Sequence, residues 1–71
     1  MKYYFSINIS ANEFIPYYQG IVKNVVVTTY QGIKVQFPAM HLRKHLTTSG
    51  IQGNFCLETE KNKFLSLKKV N

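Results

Sequence analysis

The segment KYYFSINI alternates: Tyr3, Phe5, Ile7 and Ile9 fall on one side, Lys2, Tyr4, Ser6 and Asn8 on the other. A period of two over eight residues predicts a half-buried β-strand. In the SANE that follows, Ser10 can accept from the Glu13 backbone N–H while the Glu13 side chain reaches back, a capping box that opens a helix. Pro16 has no N–H to donate and its ring meets the carbonyl four residues earlier, so one or two kinked turns are expected, ending near Gln19. Gly20 then stands where a left-handed residue closes a helix.

IVKNVVVTTY is rich in β-branched residues and predicts a second strand; IKVQF predicts a third, with Ile33, Val35 and Phe37 on one face and Lys34 and Gln36 on the other. Between them YQG supplies a tight hairpin turn at Gly32. The tetrapeptide Tyr-Gln-Gly-Ile thus occurs twice, at Tyr18–Ile21 and Tyr30–Ile33. A spacing of twelve residues is below the ~20 to 50 of structural repeats, so shared turn chemistry explains it better than duplication.

Pro38 suits the first position of a helix, and PAMHLRKHL sets Leu42 and Leu46 four apart on a common face. TTSG closes that second short helix. IQGNFCLE resumes alternation with Ile51, Phe55 and Leu57 inward and Asn54, Cys56 and Glu58 outward; TEKNK turns, and FLSLKKV offers Leu65 and Leu67 to the core. The order β-α-β-β-α-β-β describes one α+β domain over residues 1–71, with two short helices and a small five-stranded antiparallel sheet. Curling that sheet into a barrel-like fold would remove its exposed edges.

A chain of 71 residues buries only roughly 60 to 65% of the surface its unfolded form exposes. Its single cysteine, Cys56, cannot form an internal disulfide, so stability must come from packing or self-association. Val25, Val26 and Val27 in succession require something apolar against both faces of the second strand, which raises a homodimer through Val26 and Tyr30. No apolar run approaches the ~20 residues of a membrane span, and MKYYFSINIS lacks a signal-peptide pattern; the expected location is the cytoplasm.

Nine Lys and Arg against three Glu give a net charge of +6, which favours anionic partners: nucleic acid or an acidic protein. The competing explanation is a solvated basic surface.

YYQGIVKNVVV, VQFPAMHLR and GIQGNF together resemble a family of short bacterial proteins, the domain of unknown function family 2835. The resemblance spans nearly the whole chain. It implies a stand-alone cytoplasmic protein and brings no assigned activity and no catalytic residue.

The constellations that carry chemistry elsewhere are incomplete here. His41 and His45 would share a helix face, but no Cys, Asp or Glu lies in their segment and Arg43 and Lys44 repel a cation, so no metal or other cofactor is expected. Cys56 has no recognisable base near it in sequence and reads as a packed or half-exposed strand residue. With Glu13, Glu58 and Glu60 the only acids, the chain is not expected to be an enzyme. GIQG has the spacing of a backbone-clamping Gly-x-x-Gly loop, yet it leads into a strand instead of joining helices; the signature of an RNA-recognition motif is missing too.

Basic residues interleaved with aromatics remain. Tyr4, Lys34, Gln36, Arg43 and Lys44 are the candidate nucleic-acid-binding residues, because cations meet phosphates while rings stack on bases. Weak, largely sequence-independent binding is the first expectation. A protein-interaction adaptor or homodimer using the outer face of the second strand is the alternative. A small anionic nucleotide on a barrel rim has only Arg43 in its favour. Lys68 and Lys69 read as charges that blunt an edge strand.

Overall fold

In a computed structural model describing residues Met1–Asn71, the element order follows the hydrophobic pattern. Strand β1 (Lys2–Ile9) leads into helix α1 (Ala11–Tyr18), then β2 (Asn24–Thr28), β3 (Lys34–Pro38), a 3₁₀ helix (Ala39–His45), β4 (Ile51–Glu60) and β5 (Lys63–Lys69).

The five strands form two antiparallel sheets, β1-β4-β5 and β2-β3, where a single curled sheet was expected. No barrel closes. A single backbone hydrogen bond ties the hairpin turn to β1, from the Tyr30 N–H to the Tyr4 carbonyl at 2.9 Å. The reason lies in the core. Phe5 packs against Phe37 of the small sheet at 5.8 Å and Phe55 of the large one at 6.2 Å between ring centroids, while Phe14 of α1 and Leu42 of the 3₁₀ helix are fully buried beside them. Large rings and two helical segments fill the space that a continuous ladder would have to close.

Helix α1 starts on the capping box: the Glu13 N–H donates to Ser10 Oγ at 3.1 Å and the Ser10 N–H to Glu13 Oε1 at 2.9 Å. Pro16 lies inside this short helix, and Asn12, whose carbonyl it cannot serve, is exposed to water. The helix ends in a Schellman motif, with the Gly20 N–H donating to the Tyr17 carbonyl and the Ile21 N–H to that of Pro16, Gly20 sitting at φ +80°. In the β2–β3 turn Gly32 sits at φ +83°, its N–H donating to the Thr29 carbonyl. Thr29 anchors this turn further: its own N–H donates to the Ile33 carbonyl and its Oγ1 accepts from the Ile33 N–H.

Three details depart from the sequence expectation. The second helix is 3₁₀, beginning after Pro38, which ends β3 and serves as its N-cap. Ile33 is exposed and lies outside β3, leaving Val35 and Phe37 as the inward pair. In β5 the ladder shifts after Glu58↔Ser66 to Thr59↔Phe64, so Leu65 is bulged out and 51% exposed while Phe64 packs against the core. One extra residue reverses the alternation there, which is why Leu65 does not join Leu67 inside.

Candidate functional site

The core side of the large sheet is sealed by Phe5, Ile7, Ile51, Phe55, Leu57 and Leu67. Its other side is polar, and no element packs across it as a layer. Register fixes what lies there: Tyr4 stands opposite Cys56, and Cys56 opposite Lys68, so these three form one row across β1, β4 and β5. Lys2 precedes Tyr4 on the same face and stands opposite Glu58. Tyr4 is 43% exposed. Cys56 is only 9% exposed although it belongs to this outer face; it stands on the central strand, flanked in register by Tyr4 and Lys68. Tyr30 arrives from the hairpin turn, its N–H on the Tyr4 carbonyl and its hydroxyl donating to Asn54 Oδ1.

The five candidate residues do not converge on one face. Tyr4 belongs to the large sheet. Lys34 and Gln36 share the outer face of the hairpin, where Gln36 stands opposite Val26, itself 59% exposed. Arg43 and Lys44 are exposed on the 3₁₀ helix, whose ~120° per residue sends adjacent side chains apart. The Arg43 guanidinium lies 4.9 Å from the Tyr18 ring centroid and donates to the Tyr18 carbonyl. Lys44 acts electrostatically on both histidines.

Those histidines also part company, since four residues of a 3₁₀ helix make one and a third turns. His41 stacks on Phe64 with 3.7 Å between ring centroids, and His45 meets Phe55 edge-on at 5.0 Å. Desolvation, with the Lys44 charge adding to it, lowers the pKa of His41. Desolvation is also the main cause for His45, where Lys44 and Lys69 push the same way and the nearby Leu67 carbonyl opposes them. His45 Nε2 is buried without a hydrogen-bond partner, which suits a neutral ring. No group of three His, Cys, Asp or Glu side chains is placed to hold a metal ion.

The alternation of the first strand puts Lys2 on the Tyr4 face, but neither it nor Lys68 nor Tyr30 is among the nucleic-acid-binding candidates drawn from the sequence. Lys68 required the β4–β5 register, bulge included, and Tyr30 required the tertiary bond to β1.

No helix is long and apolar enough to cross a membrane. Neither a curated protein nor a solved structure matches the chain. A family model does, over residues 1–70, and with nearly every position covered the chain belongs to the family described as Protein of unknown function (DUF2835).

Proposed function

We propose that this protein is a cytoplasmic, non-catalytic binder of single-stranded nucleic acid, weak and with little sequence preference, using the open face of the three-stranded sheet. The observation that carries the reading is the exposed Tyr4 in one row with Lys68 and on one strand face with Lys2. A ring on such a platform contributes about 1 to 3 kcal/mol per stacked base, and sequence tolerance follows because every base has a π-face. Three carboxylates cannot neutralise nine cations, and Glu13 is already held in its capping box. Lys34, Gln36, Arg43 and Lys44 lie off this face, where a strand that runs on past it can meet them as secondary phosphate contacts.

The test is an amide chemical-shift titration with a short mixed single-stranded oligonucleotide at two salt concentrations. Shifts centred on Lys2, Tyr4 and Lys68 are expected, and with three or four phosphate contacts log affinity should fall against log salt with a slope of about −2 to −3. Unmoved spectra, or binding indifferent to salt, would overturn the reading.

A second reading rests on the outer face of β2, where Val26 is exposed, with Tyr30 exposed in the adjoining turn. Here the chain is an adaptor or homodimer, and its basic charge serves solubility or an acidic protein partner. Light scattering that finds only monomer at high concentration removes the homodimer.

A further inference from the structure

On the far side of the hairpin from the Tyr4–Tyr30 contact, a hollow of about 360 Å³ opens between the end of α1, the α1–β2 loop and the start of the 3₁₀ helix. Such a volume lies at the small end of ligand sites. Tyr17, Val22, Pro38 and Met40 give it an apolar lining, and Lys23 and Arg43 bring two cations to it. From this combination we infer a binding site for a mononucleotide-sized anion: a flat, weakly polar ring carrying a phosphate, either a free nucleoside monophosphate or the 5′-phosphorylated end of a strand.

Three features support an anion here. The first is that nothing negative competes. None of the three glutamates lines the hollow, and Glu13 sits at the other end of α1. The second concerns the helix end, which would ordinarily repel an anion through its free carbonyls. Those carbonyls are engaged: Ile15 accepts from the Gln19 N–H, Pro16 from Ile21 and Val22, Tyr17 from Gly20, and Tyr18 from the Arg43 side chain. The third is that Arg43 is already ordered over the Tyr18 ring, and Tyr17 is stacked against Phe14 at 5.7 Å, so less freedom is lost on binding.

The apolar lining decides between a bare phosphate and a nucleotide. Met40 is 65% exposed, and a thioether beside Tyr17 and Pro38 offers contact to a flat ring that inorganic phosphate cannot use. The second hollow, formed by Ala11, Asn12, Phe14, Ile15, Tyr18 and Leu46, has no cation and lacks this combination.

The site does not depend on the sheet face. In an amide titration of the intact chain, adenosine monophosphate is expected to give saturable shifts at Gly20, Lys23 and Met40. Lys23→Gln, a change at an exposed loop residue, should weaken binding about tenfold while leaving the free spectrum folded; Met40→Ser should weaken binding of the nucleotide but not of inorganic phosphate. A strand-end source is indicated if a 5′-phosphorylated oligonucleotide moves the same amides and its 5′-hydroxyl counterpart does not; a free-nucleotide source is indicated if only the mononucleotide does. Absence of saturable shifts in the millimolar range, or a response that inorganic phosphate reproduces in full, would overturn the inference. Shifts in the hollow combined with silence at Lys2, Tyr4 and Lys68 on adding oligonucleotide would leave this site standing and remove the sheet-face reading.

Discussion

The two Tyr-Gln-Gly-Ile segments share four residues and a glycine at nearly the same φ, +80° at Gly20 and +83° at Gly32, yet one terminates a helix and the other reverses a hairpin. What differs is the partner each receives. In the first copy the N–H groups of Gly20 and Ile21 turn back to carbonyls already spaced by α1; in the second, Thr29 offers both its carbonyl and its hydroxyl to the turn. The tyrosines diverge accordingly, Tyr18 lying under Arg43 and Tyr30 clipped to Tyr4 and Asn54. Identical local chemistry fixes a backbone angle, and the flanking residues decide which fold element uses it.

The largest effect should come from a third glycine that shares the sign of φ but not the surroundings. Gly50 lies at φ +105°, and an added Cβ would strike the Ile9 carbonyl oxygen and stand 2.6 Å from the Ser10 carbonyl carbon. Backbone cannot yield as a side chain can, so Gly50→Ala should cost about 4 kcal/mol or more. Set against roughly 4 to 10 kcal/mol expected of a domain this size, that should lower the melting midpoint read by circular dichroism by roughly 15 to 30 °C. A cooperative melt near wild type would refute the crowding.

Gly20→Ala and Gly32→Ala come next. Neither added Cβ meets anything within 4 Å, so each should cost about 1 to 2 kcal/mol from the left-handed angle alone, and the two values should agree. Unequal losses in urea denaturation would show that the glycines do more than set φ.

Smaller, separable losses should follow from the flanks. Ser10→Ala removes the cap of α1 at about 1 kcal/mol, and Thr29→Val removes the hydroxyl acceptor of the hairpin turn at about 1 kcal/mol. Hydrogen exchange should speed up at α1 amides in the first variant and at Thr29–Ile33 in the second; the same pattern in both would erase the distinction.

Acid should have the smallest effect at the first copy's helix, apart from the loss expected elsewhere as His41 and His45, whose pKa values desolvation holds below the usual 6.5, are forced to charge. Hydrogen bonds from the Ser10 backbone and side chain lower the Glu13 pKa below its usual value of 4.5. A depressed carboxylate contributes stability above its unfolded pKa and loses it as pH falls through the folded one. Amides of α1 should therefore begin to fray below about pH 4 while the β2–β3 turn holds. Loss of the turn first would contradict this order.

Much of the fold was legible because strands and caps are local. The Phe5–Ile7 face, the Ser10–Glu13 box and the order of elements all follow from residues within a few positions of one another. What escaped depends on distant pairing. Leu65 looked inward until the bulge opposite Glu58 and Thr59 displaced it, and Pro38 looked like the start of an α-helix although its extended backbone ends a strand. The candidate site fared less well. The outward place of Tyr4 on its strand was legible, but its neighbours Lys68 and Tyr30 come from 64 and 26 residues away, which no window along the chain can bring together.

Cys56 lies at the middle of that same row, covered, and it is the only thiol in the chain. It is therefore a built-in clock. An alkylating reagent reaches it only when the neighbouring strands or their side chains move aside, so under native conditions the labelling rate measures how often the sheet opens, without any engineered probe. A molecule resting on Tyr4 would slow that clock, and one occupying the hollow beside Arg43 would slow it only as far as it stabilises the whole fold.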